Sequence, residues 1–125
     1  MSLAIAVTIR SPQDGRVARV DLDGTLDTAT APQLEEALAA AFEGPTRFLV
    51  FDLAKLSFLS SGGVRVILAA RKRMPERGGS CVMLRVQPRI EKTFEIIRAL
   101  DGLLFFKDDA TLDAFLGALQ KPDAA

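Results

Sequence analysis

The sequence contains no histidine and only one cysteine, Cys81. Ser-His-Asp and Cys-His catalytic arrangements therefore cannot be built, and the common zinc ligands are nearly absent. A single cysteine cannot form an internal disulfide, which fits a reducing compartment. The composition argues against ordinary hydrolase chemistry, and we predict a protein that is not an enzyme and uses neither a cofactor nor a metal.

The sequence also lacks an excess of charge of either sign, with 16 Lys and Arg against 16 Asp and Glu. Nothing global therefore favours binding to nucleic acid or to an anionic membrane. No apolar run reaches the roughly 20 residues that span a bilayer, and the first residues do not resemble a secretory signal. We expect a cytoplasmic protein that neither binds nucleic acid nor inserts directly into a membrane.

What the sequence does have is the composition of a globular domain, with 49% hydrophobic and 26% charged residues in a chain of 125. That length is close to the commonest size of one domain and is sufficient to bury a core. No internal repeat, low-complexity tract or linker divides it. We expect a single domain over residues 1–125, with a loose tail at about 121–125.

Hydrophobic periodicity predicts the element order β-β-α-β-α-β-α-β-α. The predicted strands are Leu3–Ile9 and Val17–Leu22, which form a hairpin around the turn Ser11–Gly15, then Phe48–Phe51, Cys81–Val86 and Leu103–Phe106. The predicted helices run over Thr30–Phe42 with a Thr30–Gln33 capping box, from Ser60 or Ser61 to Met74, from Pro88 along Ile97 to Gly102, and from Asp108 or Asp109 through Leu119. This order predicts an α/β fold with a mixed, mostly parallel sheet of about five strands and about four helices.

The stretch Ser60-Ser61-Gly62-Gly63 lies at the predicted start of the second helix. It is neither a G-x-S-x-G nucleophile elbow nor a P-loop. Unpaired N–H groups and the positive end of the helix dipole favour a hydroxyl, a carboxylate or a phosphate there. Two interpretations follow: Ser60 simply caps the helix and the glycines permit a tight turn, or one serine is a chemical switch.

The segment Asp52–Val64, DLAKLSFLSSGGV, resembles the signature of the STAS domain, which bacterial anti-sigma factor antagonists and sulfate transporter tails share. In that signature a buried strand ends in Asp, and a short apolar loop leads to Asp-Ser-small-Gly-aliphatic at a helix start. The upstream segment Leu22–Ala31, LDGTLDTATA, resembles the family's Gly-x-Leu-Asp turn. The order of the predicted elements agrees as well, so the resemblance implies a STAS-like fold across essentially the whole chain.

The resemblance also implies a function. In anti-sigma factor antagonists, the serine after the motif Asp is phosphorylated by an anti-sigma factor that is a serine kinase. The unmodified antagonist binds this kinase and frees the sigma factor, which is therefore only an indirect partner. The matching residue is Ser61, with Ser60 as the second candidate for phosphorylation, and the implied partner-binding residues are Asp27, Ser60, Ser61, Gly62 and Gly63.

One residue departs from the family pattern, because Ser60 stands where the motif has Asp. Kinase recognition could be altered, Ser60 could itself be modified, or partner binding could persist without a switch. An alternative is a STAS subunit of another assembly, such as a stress-signalling or lipid transport complex. A third alternative is a small nucleotide-binding protein or enzyme that uses the helix start as an anion site. The partner-binding helix faces could also support a weak homodimer.

Three other charged features have structural interpretations beside functional ones. Asp27 fits a turn or capping role as well as a partner contact. Asp52, which ends the predicted third strand, is interpreted as structural. The run Arg71-Lys72-Arg73, with Arg77 nearby, is interpreted as a solvated helix end that balances the helix dipole, rather than as a surface for an acidic partner.

Overall fold

The computed structural model describes residues 2–10, 16–96 and 102–120. Within these residues the strands are β1 (Leu3–Arg10), β2 (Arg16–Leu26), β3 (Thr46–Leu59), β4 (Ser80–Leu84) and β5 (Leu103–Phe106). The helices are α1 (Ala31–Ala41), α2 (Ser61–Arg73), α3 (Pro88–Ile96) and α4 (Asp109–Gln120), with one turn of 3-10 helix at Pro75–Arg77. The predicted turn Ser11–Gly15, the predicted helical residue Ile97 and the tail after Lys121 lie outside the described residues.

The five strands form one sheet in the order β1-β2-β3-β4-β5. β1 and β2 pair antiparallel, with Ile5 opposite Leu22, which confirms the predicted opening hairpin. The remaining neighbours pair parallel. Parallel neighbours require crossover connections, and a helix lies in each of them. The predicted α/β class, the mixed and mostly parallel sheet, and the element order are therefore confirmed.

β3 is much longer than predicted. It covers Thr46–Leu59 rather than Phe48–Phe51, so Asp52 lies inside the strand and not at its end. The short apolar loop expected before Ser60 from the resemblance is part of the strand instead, because the second half of β3 pairs with the end of β2, with Leu26 opposite Leu59. This pairing also extends β2 beyond the predicted Leu22. As a result, the start of α2 follows a strand end directly.

Two hydrophobic cores cover the two faces of the sheet. The larger contains Leu49, Phe51 and Leu53 of β3 together with buried residues of α1, α2 and α3. The smaller packs Phe48 and Val50 of β3 against the buried side of α4. Alternate residues of the strand thus serve opposite faces, as strand geometry requires. The first three helices lie on one face and α4 on the other.

The remaining boundaries that fall within the described residues differ from the predictions by a few residues at most. β4 stops at Leu84 rather than Val86, because Arg85 adopts a left-handed φ of 54° that a strand cannot accommodate. The buried thiol of Cys81 lies in this strand, and burial raises its pKa to about 12, as expected of an inert core cysteine. Within the described residues, no helix is both long and apolar enough to cross a membrane.

Candidate functional site

Ser60 is the N-cap of α2. Its backbone is extended, with φ −94° and ψ 168°, and its hydroxyl oxygen accepts a hydrogen bond from the Gly63 N–H at 3.2 Å. Its own N–H donates to the Leu26 carbonyl at 3.0 Å, which ties the helix start to the end of β2. The capping role predicted for Ser60 is confirmed, and its half-buried hydroxyl is already engaged.

Ser61 is the first residue of α2, and its side chain is exposed. Across the described ranges, its hydroxyl has no hydrogen-bond partner. The neighbouring serines therefore differ: Ser60 stabilises the helix start, whereas Ser61 presents a free hydroxyl beside the positive end of the helix dipole. An enzyme could reach Ser61 without disturbing the cap.

The Asp27 carboxylate organises the turn between β2 and α1. Its Oδ1 accepts hydrogen bonds from the N–H groups of Ala29 at 2.9 Å and Thr30 at 3.0 Å. The predicted capping box of Thr30 and Gln33 is wrong, because the buried Thr30 side chain makes no capping hydrogen bond to the helix. Its hydroxyl instead donates to the Thr25 carbonyl at 2.8 Å and accepts from the Asp27 N–H at 2.9 Å. The turn role of Asp27 is thus explicit, and its contact with a partner stays a prediction.

The two segments singled out in the sequence are neighbours in space. The Leu26 carbonyl bonds the N–H of Ser60, and Thr28 packs against Gly62 closely enough that a Cβ there would approach its Oγ1 to 2.3 Å. Gly63 lies against Leu26 and Leu59. The structure therefore brings the β2–α1 turn and the start of α2 together into one surface, in which Ser61 is exposed.

Gly63 permits this close approach, and its replacement by alanine should destabilise the fold. The added Cβ would lie 2.7 Å from the Leu26 carbonyl oxygen, which belongs to the backbone and cannot rotate away. We expect Gly63→Ala to lower the free energy of unfolding by about 1–3 kcal/mol, the usual range for overpacking. Urea unfolding followed by circular dichroism measures it.

Gly62→Ala is the matched control. The new methyl would meet mainly the exposed Thr28 side chain, which can rotate, and alanine favours the helix more than glycine does. We expect a stability within about 1 kcal/mol of the wild type. Equal losses in the two variants would contradict the role given to the Leu26 contact.

A groove of about 570 Å³ runs between α1 and α2, and Thr28 and Gly62 line one end of it. Its floor and walls are largely apolar, with one acidic residue on α1 and two arginines on α2. The lining residues are Thr28, Ala31, Pro32, Glu35, Leu38, Phe42, Gly62, Arg65, Val66, Ala69, Ala70 and Arg73. A concave apolar surface with charged edges is suited to binding another protein.

Two arginines at or just beyond the far end of α2 are engaged with their own chain. The Arg73 guanidinium lies 3.8 Å from the Phe42 ring centroid. Arg77 donates to the carbonyls of Gly44 at 2.6 Å and Phe42 at 2.7 Å. Arg71, Lys72 and Arg73 occupy the last turn of α2, where positive charge favours the helix dipole. These contacts agree with the interpretation of the basic run as structural.

Asp52 lies on the opposite face of the sheet from the groove, within a network of ion pairs. One of its oxygens, Oδ2, accepts hydrogen bonds from Arg19 and Arg85, each at 2.6 Å. Both arginines also contact Asp109, at 2.7 and 3.2 Å. Burial alone would raise the pKa of Asp52, but hydrogen bonds from Arg85, the Ala54 N–H and Arg19 hold it below the ordinary value. The network ties β2, β3 and the residue after β4 to the start of α4. In the described part of the chain, no group of acidic, histidine or cysteine residues could hold a metal.

The family model of the STAS domain matches residues 8–112, which include both motifs and the whole of the groove. The chain belongs to the STAS domain family.

Three related proteins illustrate the likeness of this STAS domain. BtrV of Bordetella bronchiseptica, provisionally named an anti-sigma factor antagonist, is 37% identical over 75 residues, which are 60% of this chain and 65% of BtrV. The match thus spans just under two thirds of that relative. An anti-sigma factor antagonist from Mycobacterium paratuberculosis has a TM-score of 0.75 at 25% identity, over 96% of both chains. Phosphorylated SpoIIAA of Bacillus shares the fold, with a TM-score of 0.64 at 20% identity over 88% of this chain and 99% of that one.

Some residues that shape the site of this STAS domain were not singled out in the sequence. Arg65 lies on the groove edge, four residues after Ser61, and that spacing alone could have placed both on one side of the helix. The partners of Asp52 could not be read in the same way. They come from β2 and from the residue after β4, so only the folded sheet brings them together.

Proposed function

We propose that this protein is a cytoplasmic anti-sigma factor antagonist that binds an anti-sigma factor serine kinase and thereby releases a sigma factor. Phosphorylation of Ser61 ends the binding. The observation that carries the proposal is the exposed Ser61 hydroxyl at the first position of α2, one residue before Gly62, which lines the groove between α1 and α2. The names of BtrV and of the mycobacterial protein support the same function.

The geometry favours a switch that leaves the fold intact. A phosphate adds roughly −1.5 to −2 charge, which the start of a helix stabilises. The cap formed by Ser60 uses a different hydroxyl, so it survives the modification of Ser61. Phosphorylation therefore acts across the interface, where it adds bulk and charge that would have to be desolvated against the partner. SpoIIAA, which shares the fold, has a phosphorylated form.

The serine at position 60, in place of an aspartate, favours a second candidate function. It provides the cap but offers no carboxylate to a kinase or to a metal-bound nucleotide. A STAS subunit of a stress-signalling or lipid transport assembly, which binds its partners without a phosphorylation switch, would have no need of that carboxylate. The identity of the captured partner separates the two functions.

The test is phosphorylation of the purified protein by candidate anti-sigma factor kinases of the same organism, with ATP and Mg²⁺. We expect the intact mass to increase by one phosphate group, which peptide mapping places on Ser61. The phosphorylated protein should bind the kinase at least about tenfold more weakly, since the phosphate would have to be desolvated against the partner. Mass spectrometry and calorimetric titration measure the two effects.

Ser61→Ala and Ser60→Ala are the paired controls. Ser61→Ala should bind the kinase and take up no phosphate, whereas Ser60→Ala should still be phosphorylated, although the lost cap lowers its stability by about 1 kcal/mol. Phosphate on Ser60 would show that Ser60, and not Ser61, is the phosphorylated residue. Kinase binding without any phosphorylation would leave a constitutive antagonist, and no binding at all would favour the second candidate function.

A further inference from the structure

Arg65 and Ser61 occupy neighbouring positions on the exposed side of α2. Both side chains are exposed, and they are four residues apart in the helix. Residues at this spacing have Cβ atoms about 5–6 Å apart, and an acidic group four positions before a basic one is the favourable orientation. A phosphate on Ser61 would therefore lie within reach of the Arg65 guanidinium.

Arg65 has no competing partner among the residues that the structure describes. It makes neither a hydrogen bond nor an ion pair with any residue in the ranges that the structure describes. Glu35 lines the same groove from α1, but the described ion pairs do not include it. The Asp27 carboxylate is occupied by the N–H groups of Ala29 and Thr30. The neutral Ser60 adds no carboxylate at the cap.

We propose that Arg65 has two alternative partners, an inference that rests on the proposed function. In the unmodified protein it binds an acidic side chain of the anti-sigma factor at the edge of the groove between α1 and α2. In the phosphorylated protein it binds the phosphate of Ser61. Arginine suits both roles, because its planar guanidinium can form paired hydrogen bonds with carboxylates and with phosphates.

This arrangement gives phosphorylation a second effect on binding. The phosphate not only brings negative charge to the interface but also withdraws the cation that the partner's carboxylate would use. Both effects weaken association, and neither requires a change in the fold. The groove beside Arg65 is apolar along Leu38, Val66 and Ala70, so the partner that fits it is an amphipathic helix with an acidic residue near Ser61.

The phosphate contact can be tested without a kinase. Phosphoserine is incorporated at position 61 during translation, and its second ionisation is followed by ³¹P NMR in the wild-type background, in Arg65→Gln and in Lys92→Gln. The last variant removes the same charge from an exposed position on α3. We expect the second pKa of the phosphate to be higher by about 0.5 in Arg65→Gln and unchanged in Lys92→Gln. Identical titrations in all three proteins would overturn the phosphate contact.

The partner contact is tested with the unphosphorylated protein. We expect Arg65→Gln to bind the anti-sigma factor roughly tenfold more weakly than the wild type and Lys92→Gln to bind as tightly, since truncating one side of an interfacial charge pair weakens a complex. Equal affinity of Arg65→Gln and the wild type would overturn the partner contact alone. Failure of the wild type to bind any anti-sigma factor would overturn the proposed function, and the ³¹P titration would still decide whether Arg65 binds the phosphate.

Discussion

Replacing Phe51 by alanine should lower the free energy of unfolding by about 3–5 kcal/mol, the usual range for a large buried aromatic side chain. Phe51 is fully buried and lies near the centre of the sheet, opposite Val20 on β2 and Met83 on β4. Domains of this size have a total stability of only about 5–15 kcal/mol, so the variant would lose a large fraction of it. Urea unfolding at 25 °C, monitored by circular dichroism, provides the measurement.

Phe58→Ala is the control on the same strand. Phe58 is 51% exposed, so its truncation removes little buried surface and leaves no enclosed cavity. We expect a loss below about 1 kcal/mol. Similar losses for Phe51→Ala and Phe58→Ala would mean that the core is not centred on the first half of β3, and would contradict the sheet register described above.

The order of the elements and the place of the serine pair at the start of α2 could be predicted because each rests on local information. The apolar periodicities distinguish helices from strands over short windows. The serine pair lies directly before a helical pattern, where the choice of a cap depends on a few neighbouring residues. The hydrogen bond from the Gly63 N–H to Ser60 is such a local feature, and the prediction of Ser60 as the cap was correct.

The second half of β3 was missed because its buried residues do not alternate. Leu53, Leu56 and Leu59 are buried at intervals of three, which is not the period of a regular strand. The register explains the interval, since Asp21 and Asp23 of β2 pair with Asp52 and Lys55 of β3. The extra residue on β3 shifts the side-chain alternation, as a bulge does, and a second shift follows between Gly24 and Thr25. Pairing between strands, rather than local sequence, decides this part of the fold.

The capping box failed for a related reason. Thr30 and Gln33 have the right residue types and spacing, but the Thr30 hydroxyl finds an acceptor in the Thr25 carbonyl, which becomes available only when β2 continues to Leu26. A local motif was thus overridden by the strand before it. The error does not move the helix, because α1 begins within one residue of the predicted start.

Replacing Asp52 by asparagine should lower the free energy of unfolding at pH 7 by about 2–3 kcal/mol. Breaking a buried ion pair costs about 3–5 kcal/mol when it leaves a charge without a partner. Here the loss is smaller, because Arg19 and Arg85 are partly exposed and keep their contacts with Asp109. Asp113→Asn, which removes one carboxylate from an exposed position of α4, should change stability by less than about 0.5 kcal/mol.

The pH dependence separates the charge of Asp52 from its shape. Its pKa in the folded protein is lower than the ordinary value, so ionised Asp52 stabilises the fold fully at pH values above its unfolded pKa of about 3.9. This contribution is lost as the pH falls through the folded pKa, where the wild type gains a neutral carboxyl that resembles asparagine. The stability difference between wild type and Asp52→Asn should therefore be constant from pH 7 to about pH 5 and shrink below pH 4. A difference that stays the same down to pH 3 would show that the asparagine variant loses packing geometry rather than the ionic contacts that bind β2, β3 and α4 together.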